Sequence, residues 1–183
     1  MEFDYVIVGG GSAGCVLAAR LAENREARVC LIEAGGKGRN LFIRMPAGNV
    51  LVFGNAKLDW GFESVPQPAL NDRKIYFPRG RALGGSSIMN GMIYIRGVPQ
   101  DYDAWRESGL SWWGFSDLLP YFRRSQGAVD RKGVWHGVDG PVKTEASVNF
   151  GELEEAFIEA AVACGHQRLD DFNGPHRAGV GRT

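Results

Sequence analysis

Long apolar runs are missing from this chain. Nothing approaches the ~18 consecutive residues that cross a membrane, which leaves only peripheral contact with a bilayer open. A surplus of either charge is missing too. Lys and Arg number 21 and Asp and Glu 21, for a formal net charge of zero, so the basic footprint of a nucleic-acid binder is absent. Histidine is scarce, with three in 183 residues, and no cluster of metal-ligand spacing is present. Cys15, Cys30 and Cys164 form no spaced pattern. Cys15 and Cys30 are expected as reduced, buried thiols, which suits a reducing cytoplasm. The first residues carry no basic n-region and no small-residue cleavage site, so no secretory leader is expected. Internal repeats and low-complexity tracts do not occur. A chain of this length can bury a sizeable core and suits one domain or slightly more.

What is present is concentrated in the first 33 residues. Asp4-Tyr5-Val6-Ile7-Val8 is a short run of β-formers, followed at once by Gly9-Gly10-Gly11-Ser12-Ala13-Gly14. Cys15 to Leu21 reads as a helix, and Val29-Cys30-Leu31-Ile32 as a second strand ending in Glu33. Strand, Gly-x-Gly-x-x-Gly turn, helix, strand and acidic residue make up the dinucleotide-binding unit. Gly9 permits the tight turn, Gly11 lets backbone approach a pyrophosphate, and Gly14 lets the helix pack closely on the sheet. Free N–H groups at the helix start, with about half a positive charge from aligned peptides, favour phosphates. Glu33 sits where a carboxylate accepts ribose hydroxyls and repels a 2′-phosphate, which argues against NADP.

The next stretch, Gly35 to Lys74, is rich in Gly, Asn and Pro. A short helix is expected around Ala47–Phe53 and a strand over Trp60–Val65, ended by Pro66-Gln67-Pro68. Phe42, Met45, Phe53, Trp60 and Phe62 make the stretch too apolar for disorder. It is either a folded cover over a cofactor or a loop packed for stability alone. Arg79-Gly80-Arg81-Ala82-Leu83-Gly84-Gly85-Ser86-Ser87 is a second Gly-rich, phosphate-type loop. Ile88 to Gly97 reads as a helix buried at its start. One ligand held by two separated loops points to FAD rather than NAD. Arg79 and Arg81 either neutralise phosphate or are surface arginines.

On these residues the chain resembles the glucose–methanol–choline (GMC) flavin oxidoreductases. The resemblance rests on Asp4–Gly14, Leu31–Gly35 and the long block Gly80–Asn90. Tyr94-Ile95-Arg96-Gly97, Asp101-Tyr102-Asp103-Ala104-Trp105, His136–Pro141 and Asp171-Phe172-Asn173-Gly174 extend it across essentially the whole chain. Pro46, Asp59-Trp60 and the Tyr-Ile-Arg-Gly run resemble the bacterial choline and aliphatic-alcohol dehydrogenase branch. The resemblance implies an α/β, Rossmann-like FAD-binding domain of sheet plus helices, with the beginning of a substrate domain. Residues 1–35 are the dinucleotide-binding βαβ unit and 36–75 a cofactor-covering extension. Residues 76–100 carry the second flavin loop, and 101–183 hold helices and the start of the substrate domain.

The resemblance further implies FAD-dependent oxidation of an alcohol, primary or choline-like, to an aldehyde, with hydride passing to flavin N5. It puts the ADP part at Gly9, Gly11, Ser12, Ala13, Gly14, Glu33 and Ala34. It puts the flavin near Trp60, Arg81, Gly84, Gly85, Ser86, Asn90, Gly91, Met92 and Ile93. The electron acceptor stays open among quinone, dye and O2.

Two departures from the family pattern matter. The family's catalytic His lies near the C-terminus of chains several hundred residues long, so no catalytic residue and no metal ligand is assigned within 1–183. The His that some relatives use to attach FAD covalently is replaced by Met89, so the FAD is expected to be non-covalent. His136 is expected in a turn, His166 as a helix cap and His176 in a loop. Asp101, Asp103, Glu107 and Asp117 are expected as caps and solvated side chains. Helices are expected over Phe115–Arg124 and over Glu152–Cys164. The second should place Leu153, Ala156, Phe157, Ala160 and Ala161 on its core face. Pro141–Thr144 reads as a strand. The chain is then either the N-terminal part of an FAD alcohol dehydrogenase or a flavin-binding interaction domain complete in itself, and an O2-using oxidase remains an alternative among enzymes.

Overall fold

The structure, a computed structural model, describes residues 1–147 and 151–182. The chain divides into two units, Met1–Met92 and Ile93–Thr183. The first opens with β1 (Tyr5–Val8), α1 (Ser12–Leu21) and β2 (Val29–Ile32). β1 and β2 pair in parallel with Tyr5 opposite Val29 and Val8 opposite Ile32, the pairing that a helical crossover allows. Asp4 ties the far end of the pair, its Oδ2 accepting the Arg28 backbone N–H at 2.7 Å.

The expected helix near Ala47–Phe53 is a 3-10 turn over Pro46–Leu51, preceded by a one-turn helix α2 (Leu41–Arg44). The Asn40 side chain caps α2 by accepting from Phe42 N at 2.9 Å. The expected strand Trp60–Val65 shrinks to β3 (Phe62–Glu63), antiparallel to β4 (Tyr76–Phe77). A 3-10 turn over Pro68–Leu70 lies between them. Another covers Gly85–Met89. Val52, Leu58, Ala82, Ile88 and Met89 form the buried cluster of this unit, with Phe42 and Ile43 against it. The core therefore joins the long extension to the second Gly-rich loop. The βαβ strands stay more open, with Val8 at 82% exposure. Cys15 and Cys30 are half-buried rather than buried, because β1 and β2 form a sheet of only two strands.

The expected helix over Ile88–Gly97 does not form. Regular structure ends at Met89. Asn90 Oδ1 accepts the Met92 N–H at 3.0 Å, and Met92 sits at φ +57°. This side-chain turn competes with helix, and Gly91 and β-branched Ile93 and Ile95 are weak helix formers.

The second unit runs α3 (Pro99–Glu107), α4 (Phe115–Ser125), β5 (Gln126–Ala128), β6 (Val142–Thr144), α5 (Glu152–Ala163), β7 (Arg168–Leu169) and β8 (Val180–Gly181). β5 with β6 and β7 with β8 pair in parallel. Asp101 Oδ2 takes the Val98 N–H at 3.0 Å to cap α3. Asp103 Oδ1 takes the Phe115 N–H at 3.1 Å at the start of α4. Tyr102, Phe115, Phe122 and Trp135 pack ring against ring. The α5 core face differs from expectation. Ile158 is the buried residue, while Leu153 and Phe157 are exposed, and Glu155, one turn before Ile158, pairs with Arg168 and Arg182 at the edge of that face.

A buried polar network that sequence reading missed organises this unit. Arg96 donates through its guanidinium to Trp135 O and Gln126 Oε1, both at 2.7 Å. Asn173 receives the Arg96 N–H at 2.9 Å and donates to Tyr94 O at 2.9 Å. His136 is buried, with Nδ1 3.2 Å from Gln126 Oε1 and Nε2 2.7 Å from Asp171 Oδ2. Burial works to raise the Asp171 pKa. Hydrogen bonds from His136 and Asn173 and the nearby positive charge outweigh it and hold that carboxyl below its usual range.

Gly14 gives the sharpest test of the first unit. A Cβ there would run into the Gly9 carbonyl oxygen. Gly14→Ala is expected to destabilise this unit by roughly 1–3 kcal/mol through overpacking, read as a lower urea midpoint at unchanged m-value.

Candidate functional site

The two Gly-rich loops meet. Gly84 N donates to Gly10 O at 2.7 Å, and Leu83 N to Gly36 O at 2.8 Å. Gly11 and Gly84 form an isolated parallel bridge, as do Gly36 and Ala82. The second loop thus lies alongside the first like a further strand. The approach demands glycine. A Cβ on Gly85 would sit 2.7 Å from Gly11 Cα, and Gly84 and Gly85 hold φ of +108° and +56°, which an L side chain resists.

Gly9 turns the chain out of β1 at φ +98°. Gly11 is the N-cap of α1, with no side-chain cap, and Ser12, Ala13 and Gly14 form its first turn. The first amides of a helix have no intrahelical acceptor, so this end offers N–H donors and positive dipole. A Cβ on Gly11 would touch only Gly85 Cα, at 3.8 Å. The first loop therefore has the open backbone cradle that a pyrophosphate needs, and the residues fit a dinucleotide.

Glu33, at the end of β2, has a role that sequence reading did not foresee. Its Oε2 accepts the Gly10 N–H at 2.7 Å and its Oε1 the Gly35 N–H at 2.8 Å. It braces the first loop from beneath, and a carboxylate still has lone pairs for a ligand hydroxyl. Ala34 follows it, exposed. Ser86 Oγ accepts the Gly80 N–H at 3.3 Å. Asn49 Nδ2 donates to Asn90 O at 3.1 Å, anchoring the segment that runs through Gly91 to Met92. Ile93 opens the second unit.

Trp60 and Arg81 are brought together, the guanidinium carbon lying 4.9 Å from the ring centroid. Trp60 also stacks on Phe62 at 5.8 Å with planes 6° apart. Arg81 is half-buried, and its Nε is buried without a hydrogen-bond partner, so it is not a free surface arginine. Arg79 is exposed and donates to Pro78 O at 2.7 Å.

Behind this pair sits Asp59, 4% exposed. Oδ2 accepts from Gly54 N at 2.8 Å and from the Tyr76 hydroxyl; Oδ1 accepts from Gly61 N at 3.0 Å and Arg79 N at 3.1 Å. Burial works to raise its pKa, but the Tyr76 hydroxyl and the Gly61, Gly54 and Arg79 amides outweigh it and bring the value to about 2.

Among the described residues no group of three or more His, Cys, Asp or Glu side chains is placed to hold a metal, and no helix is long and apolar enough to cross a membrane. Both His136 ring nitrogens face acceptors, so that ring is committed to the fold. The His166 backbone N–H closes the end of α5 on Ala161 O at 3.1 Å.

Two outcomes follow. Glu33→Ala leaves the Gly10 and Gly35 amides without their acceptor and should lower stability by about 1–3 kcal/mol with no nucleotide present. Glu33→Gln, which keeps one acceptor, should lose less, and paired thermal melts compare them. Asp59 has a depressed folded pKa, so its contribution is present above the usual carboxylate value of 3.8 and is lost as pH falls through about 2. Asp59→Asn should flatten that acid limb in denaturant titrations run at stepped pH.

The GMC oxidoreductase family model matches residues 3–183. An oxygen-dependent choline dehydrogenase of Photobacterium profundum is 44% identical over 181 residues, 98% of this chain and 32% of that protein. An alcohol dehydrogenase (acceptor) of Pseudomonas putida is 42% identical over 180 residues, 98% of this chain and 33% of that protein. The crystal structure of pyridoxine 4-oxidase from Mesorbium loti superposes with a TM-score of 0.92 at 38% identity, covering 97% of this chain and 35% of that one. The chain thus spans 32–33% of the length of these two curated relatives. A family match over nearly every residue, on an α/β fold with two apposed Gly-rich loops, establishes that the chain belongs to the GMC oxidoreductase family.

Proposed function

We propose that this chain is the FAD-binding, N-terminal part of an oxidoreductase that converts the CH–OH group of an alcohol, primary or choline-like, to an aldehyde. The observation that carries the reading is the backbone pairing of the two Gly-rich loops, Gly84 N to Gly10 O at 2.7 Å. A single Gly-x-Gly-x-x-Gly turn serves any dinucleotide, whereas a second loop laid on the first builds a longer cradle. The names of the relatives, a choline dehydrogenase and an alcohol dehydrogenase, support the substrate class.

In this reading the amides of Ser12, Ala13 and Gly14 hold the pyrophosphate, Gly9 and Gly11 keep side chains out of its way, and Glu33 with Ala34 borders the adenosine ribose. Trp60, Arg81, Gly84, Gly85 and Ser86, with Asn90, Gly91, Met92 and Ile93, border the flavin. When bound, FAD supplies the ring that accepts the substrate hydride at N5. The chain's own residues bind and orient it. The base that takes the hydroxyl proton we assign outside residues 1–183, since His136 is committed to Asp171 and Gln126. Met89 lies at 6% exposure in the apolar cluster, and a thioether there packs rather than attacks a flavin carbon. That supports non-covalent FAD. The free thiols of Cys15, Cys30 and Cys164 suit a reducing cytoplasm.

The full natural protein should purify yellow, and acid precipitation should release all the flavin to the supernatant. It should reduce an artificial acceptor with a panel of primary alcohols and choline, run with and without oxygen to separate dye, quinone and O2 as acceptors. A colourless protein that takes up no FAD overturns the reading. Residues 1–183 alone, saturated with FAD, should turn over at least about 10²–10⁴-fold more slowly for want of the base.

A further inference from the structure

We propose that Asp59 is the positioning residue of the cofactor cradle: its carboxylate sets the Trp60 ring and the start of the second Gly-rich loop in one fixed relation. The inference rests on the FAD reading above and adds to it a residue that touches no ligand.

Three segments converge on the carboxylate. Gly54 and Gly61 bracket the turn that carries Asp59 and Trp60, Tyr76 comes from β4, and Arg79 leads into the loop. The backbone repeats the tie. Trp60 N donates to Arg79 O at 2.9 Å and Arg81 N to Leu58 O at 2.7 Å, with Asp59 paired to Gly80. Trp60 is therefore next in chain to the carboxylate, and Arg81 lies two residues beyond Arg79, whose amide it holds. Their contact at 4.9 Å closes over this junction. Gly54 and Gly61 take φ of +68° and +63°, with nothing within 4 Å of where a Cβ would stand. Glycine adopts this left-handed backbone freely, and the amides of both residues donate to Asp59.

The site suits a carboxylate. Four donors, one hydroxyl and three amides, meet two oxygens. An amide side chain of the same shape loses the charge and one acceptor. Its NH2 group either faces the Gly61 and Arg79 amides and leaves both unpaired, or faces the Tyr76 hydroxyl, which must then reverse to accept and is left as the acceptor of the Gly54 N–H at 2.9 Å. Either outcome loosens the tie between the segments. The segments that would shift are those bearing Trp60 and Arg81.

The test uses the full natural protein as wild type, Asp59→Asn and Tyr76→Phe. Far-UV circular dichroism establishes folding, visible circular dichroism reads the surroundings of the bound flavin, and dilution measures FAD release. Asp59→Asn should fold, show an altered visible spectrum, and release FAD at least about ten-fold faster, the effect of one lost charged hydrogen bond. Tyr76→Phe removes one donor and should move both readouts the same way by less. If Asp59→Asn fails to fold, Tyr76→Phe carries the test alone. A folded variant with lowered thermal stability but unchanged visible spectrum and release rate shows that Asp59 only stabilises the extension, and overturns the proposal. A wild type that takes up no FAD overturns the functional reading itself, and the positioning role with it.

Discussion

The close approach of two glycine backbones is the constraint on which the first unit depends. Gly85 can lie on Gly11 only because it carries no side chain, Gly84 and Gly85 both hold positive φ, and the loops are joined by a backbone hydrogen bond of 2.7 Å from Gly84 to Gly10. Such a contact contributes little net energy by itself. Its geometry is held from both sides. Glu33 fixes the first loop through the Gly10 and Gly35 amides, and Asp59 fixes the second through the Arg79 amide. Two carboxylates, each bonded to backbone N–H groups, brace the two loops.

This arrangement explains the location of the apolar core. Val52, Leu58, Ala82, Ile88 and Met89 join the long extension to the second loop, so the buried apolar residues stand behind the cradle. The extension is part of the scaffold. Trp60 and Arg81 mark where the two meet, and their stacking places an aromatic face and a delocalised cation together at the loop.

The second unit solves a different problem. Its strands are short, and β5, β6, β7 and β8 have two or three residues each. Polar contacts supply the order that longer strands would provide elsewhere. Arg96, Gln126, His136, Asp171 and Asn173 satisfy one another across distant parts of the chain. Removing one member of such a network leaves buried partners unpaired, which is why these residues behave as a unit.

The βαβ unit was legible in the residues because its signals are local: β-formers, a Gly-x-Gly-x-x-Gly turn and helix formers follow one another within a few positions, and the structure has β1, α1 and β2 there. The 3-10 turn near residue 50 and the cap at Asp101 were legible for the same reason. The helix expected over Ile88–Gly97 was not, since the apolar pattern said nothing of the Asn90 side chain turning the backbone at Met92. The buried face of α5 was also misread, because Leu153 and Phe157 share the spacing of a core stripe, whereas the residue that packs inward is Ile158. The sequence by itself determined which segments turn and cap, properties set by neighbours three or four residues apart. Only the tertiary structure decided that the two glycine loops lie against each other and that Asp59 and Arg96 are buried, because those facts depend on hydrogen-bond partners brought from 17 to 77 residues away.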